Sequence, residues 1–381
     1  MTPAAKRELL KALRPRYLKA SKAEKGRILD GFVAATGYHR KYAIHLLKNG
    51  PPRRRAALRR TTSTPYTRDV VHALVQVWEA SGHLCSKRLH PFMGELLDSL
   101  ERHHELVFAP RIKILLCQMS PATIDRKLRR ARARRRSRRG LSTTKPGTLL
   151  KDAIPIRTFA DWNEQQPGFV EVDLVAHCGD TTTGTYLNTL CLVDIHTHWC
   201  ELAALPNKGQ AATFAALKRL RQQLPFPLLG LDSDNGAEFI NNQLFRYCLT
   251  EHITFTRSRP YRKNDQAHVE QKNWSVVRRV IGYHRYESPQ AQSLLAAIYT
   301  DLRLFINFFQ PTLKLREKIR HGSKLLKRYA PARTPFQRVI ASPFIPDENK
   351  AALHQLYLSL NPLALQRQIE AHLHQLWHLD L

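Results

Sequence analysis

A chain of 381 residues, 43% of them hydrophobic, exceeds one ordinary core and predicts two or three packed domains, which excludes disorder throughout. Its 61 Lys plus Arg against 31 Asp plus Glu leave a formal net charge of +30, a self-repulsion that a polyanion relieves. Nucleic acid is the natural partner, ahead of an anionic membrane surface. No apolar run reaches the roughly 18 residues that span a bilayer and MTPAAKRELLKALRPRY lacks a signal-peptide core, so the expected setting is cytoplasmic and nucleoid-associated, with no membrane partner.

Charge is unevenly placed. Residues 1 to 150 hold 34 Lys or Arg and 10 Asp or Glu, a net of +24, which leaves +6 for the other 231 residues and suggests that binding and chemistry occupy different halves. The six cysteines form no C-x-x-C pair and read as reduced, buried thiols. His83, Cys85 and His90 come nearest to a zinc spacing but lack a fourth ligand.

In chain order, Ser21 and Glu24 form a capping box ahead of a helix whose apolar residues Ile28, Leu29, Phe32 and Val33 recur at helical spacing, with Gly37 as its stop. A second helix, Tyr38 to Leu47, follows at once and offers Arg40 and Lys41 to phosphates, which is the rhythm of a helix-turn-helix. Thr67 caps a further helix carrying Val70, Val71, Leu74, Val77 and Trp78; Gly82 breaks it, and another follows around Phe92 to Leu100. Ser120 and Pro121 start a helix that runs into RKLRRARARRRSRR. There Arg126, Lys127, Arg130, Arg134 and Arg135 are candidate DNA contacts, each neutralised phosphate releasing counterions, and a solvated basic tail is the competing reading. The Ser-, Thr-, Gly- and Pro-rich residues after Gly140 predict a linker.

From Gly168 the texture changes. GFVEVDLVAHC, TYLNTLCLVDIHT and WCELAAL predict three strands of an antiparallel meander. A helix from Ala211 to Leu224, a buried run LLGLDSDNG, a helix from Asn242 to Glu251, the strand ITFTRS and a long helix from about Ala267 complete the order βββαβαβα. Asp173 lies within the first strand, Asp234 directly after the fourth, and Glu270 in the first turn of the last helix. If the first and fourth strands are neighbours in a mixed sheet, the three carboxylates converge, an arrangement that repulsion disfavours unless divalent metal neutralises it. Asp232 is a rival to Asp234. Asp180, Asp194, Asp265 and Glu238 read as turn or surface residues, whereas Asn235 and Gly236 shape the turn at Asp234.

At this point SDNGAEF resembles the second-aspartate motif of retroviral integrases and of the related bacterial insertion-sequence transposases, the DDE type. The 35 residues between Asp234 and Glu270 match that family's D,D-35-E spacing, VEVDLV around Asp173 is similar to its first-aspartate strand, and RPYRKNDQAHVEQKNWSVVR to the loop and helix of its glutamate. The similarity spans roughly residues 165 to 310. It implies an α/β, RNase H-like core with a mixed five-stranded sheet, in which Asp173, Asp234 and Glu270 are catalytic and hold two Mg²⁺ or Mn²⁺ ions. It further implies water-driven cleavage at element ends, then attack of the exposed 3′-hydroxyl on target DNA, without a nucleotide cofactor or a covalent enzyme intermediate. The loop residues Arg262, Lys263 and Asn264, with Lys272, Arg278 and Arg279 on the following helix, become candidate DNA contacts.

The resulting domain plan is a helix-turn-helix region over 1–60, a further basic helical DNA-binding region over 61–140, a linker over 141–160, the catalytic core over 161–310, and a basic, helical region over 311–381. The His-His-Cys-Cys module that opens retroviral integrases has no counterpart before residue 150, so the transposase branch fits better. DNA, as element ends and target, and a second copy of the chain on that DNA are the expected partners. A noncatalytic DNA-binding regulator and an RNase H-like nuclease are the alternatives, the latter with Asp232 as its test residue.

Overall fold

A computed structural model describes residues 1–51, 65–133, 166–259, 266–321 and 324–379. Their contacts gather into two units, Met1–Thr64 and Pro65–Leu381. In the first, α1 (Pro3–Lys19), α2 (Lys22–Thr36) and α3 (Arg40–Asn49) pack around Leu10, Tyr17, Leu29, Phe32, Ala43, Leu46 and Leu47. The capping box is formed: Ser21 Oγ accepts from Glu24 N (3.4 Å) and the Glu24 carboxylate accepts from Ser21 N (3.0 Å). Gly37, at φ 68°, ends α2 in the left-handed conformation that a Cβ disfavours. Helix α1 was not expected from the sequence, because Pro15 and dense cations obscure its apolar stripe.

The second unit is built on a five-stranded sheet in the order β3-β2-β1-β4-β5. Strands β1 (Phe169–Ala176), β2 (Asn188–Asp194) and β3 (Cys200–Leu205) form the antiparallel meander, while β4 (Gly230–Ser233) and β5 (Thr254–Arg257) run parallel to β1. The mixed α/β, RNase H-like class follows from this order, and the strand sequences explain it. Alternating residues of β1 serve two cores: Val170 and Val172 join Leu190, Leu192, Leu231 and Phe255 beneath α8 (Gln210–Gln223) and α9 (Asn242–Thr250). Val175, Cys191 and Val193 face the other way, toward Val269, Val276 and Val277 and α12 (Pro289–Phe309).

This second core is large. It takes in α4 (Arg68–Ala80), α5 (Ser86–Arg102), α6 (Pro110–Gln118) and α7 (Pro121–Ala133), together with α13 (Pro335–Ile340), α14 (Asp347–Ser359) and α15 (Pro362–His378). Polar ties span the same distance: Gln310 Nε2 donates to Ser81 O (2.7 Å), Arg367 pairs with Glu105 (2.5 Å) and Asn361 Nδ2 donates to Glu105 Oε1 (2.8 Å). Below the sheet edge, Arg303 forks onto the fully buried Glu201 carboxylate (2.5 and 2.7 Å), which also accepts from Trp199 Nε1 (2.7 Å). No helix of the described residues is long and apolar enough to cross a membrane.

Candidate active site

The helix that carries Glu270 starts as α10 (Ala267–Lys272), passes through a π-helical stretch (Asn273–Arg278) and ends as α11 (Arg279–Ile281). Its apolar residues Val269, Val276 and Val277 pin it across the sheet face from which Glu171 and Asp173 also project, two residues apart on β1. In the parallel pairing of β1 with β4, Glu171 matches Asp232 and Val172 matches Ser233. One residue further, that register brings Asp173 beside Asp234 in the turn after β4. The wide π turn begins at Asn273, and its Nδ2 donates to Asp173 Oδ2 at 2.7 Å, tying strand to helix.

The Asp234 turn is fixed from both sides. Gly236 N donates to Asp234 Oδ1 (2.8 Å); Asn235 Nδ2 donates to Ser258 O (2.8 Å) and Asn235 Oδ1 accepts from Arg257 (3.0 Å). A Cβ at position 236 would fall 2.7 Å from the Glu238 carboxyl, so glycine there permits a close approach. Glu238 is half-buried, and its carboxyl is pushed up first by burial and then by the charge of Asp234. It lies in the turn after Asp234, as a turn residue was expected to, and borders the site.

Electrostatics show how crowded the carboxylates are. Burial, then the negative charges of Asp234 and Glu270, push Asp173 up to about 8, against the opposing hydrogen bonds from Leu174 N and Asn273. Asp234 is also raised, by burial, despite the Gly236 bond. Glu270 itself is exposed on the first turn of α10. Among the described residues, no three His, Cys, Asp or Glu side chains already converge as a metal-holding group. The donor chemistry nevertheless fits: these are hard carboxylate oxygens, as Mg²⁺ and Mn²⁺ prefer, and a divalent cation would offset the burial and the like charge that together lift Asp173.

Two residues of this cluster were legible but not singled out from the sequence. Glu171 is fully buried; one oxygen accepts from Val269 N (2.8 Å), anchoring the start of α10 to β1, and Oε1 has no partner among the described residues. Its signal was its position two residues before Asp173, which shares the same strand face. Asn273 was marked by its place three residues after Glu270, one helical turn on. Asp232 is buried and bonded to Thr256 Oγ1 (2.6 Å), a structural tie between β4 and β5. Asp194, expected in a turn or on the surface, is fully buried: Gly168 N (2.8 Å), Thr197 N and Thr197 Oγ1 (both 2.6 Å) donate to it, and burial raises it to about 6.

The basic candidates fall differently. In the first unit, Arg40 and Lys41 lie on the exposed face of α3 with Tyr42, His45 and Lys48, and Arg40 is ion-paired to Asp30. In the second, Arg126 and Arg130 are exposed on α7, and Lys127 is half-buried over the Tyr66 ring (5.9 Å). Lys272 requires correction as a DNA contact: it is 7% exposed, directed into the core near Cys191 and Cys200, and burial lowers its pKa. Arg278 donates to Ala176 O (2.8 Å) instead of facing outward. Arg134, Arg135, Arg262, Lys263 and Asn264, with Asp265, lie outside the described residues.

No protein-family model matches the chain. The uncharacterized protein y4rM of Sinorhizobium fredii (strain NBRC 101917 / NGR234) is 43% identical over 339 residues, which is 88% of this chain and 95% of that protein. Among solved structures, the HTLV-2 integrase catalytic core domain in complex with magnesium, in its dimeric form, covers 39% of this chain and 92% of its own at 15% identity, with a TM-score of 0.29. The trimeric form covers 38% and 89% at the same identity and TM-score.

Proposed function

The chain belongs to the family of the y4rM protein, and from its own site we propose that it is a DNA transposase, a polynucleotidyl transferase that cleaves element ends and joins them to target DNA. The observation that carries this reading is the placement of Asp173, Asp234 and Glu270 on two adjacent parallel strands and one helix packed on their face, where burial first, and the charges of Asp234 and Glu270 after it, raise Asp173. Half-buried aspartates held beside like charge are costly to keep, and such perturbed groups concentrate where chemistry is done.

In this reading Asp173, Asp234 and Glu270 would hold two Mg²⁺ or Mn²⁺ ions, and bound metal would supply Lewis-acid chemistry for phosphodiester cleavage and joining. The chain's other groups aim those carboxylates. Asn273 donates to one Asp173 oxygen and Leu174 N to the other (2.8 Å), while Gly236 N fixes Asp234. Glu171 holds the first turn of α10 and hence Glu270 against β1. Each unit brings its own DNA contacts, the exposed cations of α3 in the first and of α7 in the second, with a second copy of the chain on the second DNA end.

The test is metal-dependent cleavage and strand transfer on labelled DNA ends from the element flanking the gene, wild type beside Asp234→Asn. Joined products that need Mg²⁺ or Mn²⁺ and vanish in the variant support the transposase. Binding without cutting, unchanged by the substitution, favours a noncatalytic regulator, and cuts without joining favour a nuclease.

A further inference from the structure

After α12 the chain forms a feature that its sequence did not disclose, an antiparallel ribbon of β6 (Leu315–His321) and β7 (Lys324–Tyr329). Residues 315 to 329 carry six Lys or Arg and one acid, Glu317, which is paired with Arg328 (3.3 Å). Among the described residues, neither strand has a substantial packing partner besides the other. Arg316, Arg320, Lys327 and Arg328 are exposed, and so are Leu326 and Tyr329, at 48% and 50%. A lone two-stranded ribbon is marginal in water, and one whose pleat puts positions 320 and 327 on a single face is also loaded with like charge.

The base of the ribbon, by contrast, is firmly seated. Thr312 and Arg333 bridge its two ends, and Ala330 N donates to Lys314 O (2.9 Å). Lys314 Nζ donates to His196 O (3.1 Å), and Arg338 donates to Thr312 O (2.7 Å) and Thr197 O (3.1 Å). His198, bonded to Thr312 Oγ1 (3.0 Å), lies edge-on to His268, whose ring centroid is 5.4 Å away and which precedes Glu270 by two residues. The ribbon therefore springs from the flank of the helix that carries Glu270.

We propose that the β6–β7 ribbon is a double-stranded-DNA-binding arm that holds duplex beside the Glu270 helix. Strands about 4.8 Å apart make a rod that fits a major groove about 12 Å wide, and its excess of cations matches phosphates on the groove walls. The inference deepens the function proposed above, since it names how that site receives its DNA.

The experiment uses the full-length protein with Arg316, Arg320 and Lys327 changed together to Gln, a second triple variant to Glu, and Lys218→Gln, an exposed lysine of α8, as a control. Duplex affinity is measured by fluorescence anisotropy between 50 and 200 mM salt, with binding to anionic phosphatidylserine vesicles and thermal unfolding checked in parallel. The Gln variant is expected to bind at least about tenfold more weakly, with a salt slope lower by roughly two to three, about one for each phosphate left without its cation, and the Glu variant more weakly still. Lys218→Gln is expected to bind as wild type does. Wild-type affinity and slope in both ribbon variants overturn the proposal. So does a loss confined to anionic vesicles with DNA binding intact, which makes the ribbon a membrane contact. Should the wild type prove unable to cut DNA while the ribbon variants still bind it more weakly, the arm stands and the transposase reading falls.

Discussion

Replacing Asp173 with Asn separates the stability of the site from its chemistry. In the metal-free protein this carboxyl sits at about 8 against an ordinary 3.8, raised by burial and by Asp234 and Glu270. A carboxyl whose folded pKa is raised makes the folded state hold a proton that the unfolded state releases. Folding stability is therefore unaffected below about pH 4 and is lost progressively as pH rises toward 8. At pH 7 the gap of about three pH units above the ordinary value corresponds to a ceiling on the order of 4 kcal/mol, reduced by solvent reaching this half-buried group. Asp173→Asn keeps the shape, removes the charge and escapes that loss. Thermal unfolding in EDTA should show the variant above the wild type, by a margin that widens from pH 5 to pH 8. Added Mn²⁺ should raise the wild type and leave the variant unmoved, because ligand binding to the folded state alone is stabilising. Parallel melting curves across that pH range, with equal responses to Mn²⁺, would refute the claim that charge crowding at Asp173 is held for a cation.

Three further outcomes follow from named contacts. Asn273→Ala removes the donor to Asp173 Oδ2 and should weaken Mn²⁺ binding about 10- to 100-fold by calorimetry, with Asn273→Asp failing to restore it. Arg303→Met strips the buried Glu201 of its charge partner and should cost about 3–5 kcal/mol in urea unfolding, whereas the double change to Arg303→Met with Glu201→Gln recovers part of it. Lys272→Met, at a buried position, should leave DNA affinity and its salt slope unchanged, while Lys41→Gln on α3 should lower both; a lower slope in the Lys272 variant would restore it as a phosphate contact.

Much of the fold was written locally. The capping box at Ser21, the left-handed stop at Gly37, the Thr67 and Pro121 helix starts and the alternation in VEVDLV each depend on neighbours within a few residues, and the corresponding elements formed at those places. The three acids could be singled out because their order, spacing and neighbouring residues resemble the D,D-35-E pattern of the integrase-like family. The ribbon after α12 escaped notice since its strands are short, charged and unburied, with no apolar periodicity to read.

Long-range packing decided the rest. A lysine two residues from a glutamate on one helix cannot be judged solvent-facing until the helix is laid on its sheet, and the turn that exposes Glu270 drives Lys272 into the core. Likewise, Glu171 became an anchor and Asp194 a buried brace only once distant backbone amides, Val269 and Gly168, supplied their hydrogen bonds. Periodicity and capping are properties of neighbouring residues and so belong to the sequence. Burial, pKa and the partner of a buried carboxylate are set by residues tens to a hundred positions away, and only the closed tertiary structure brings those together.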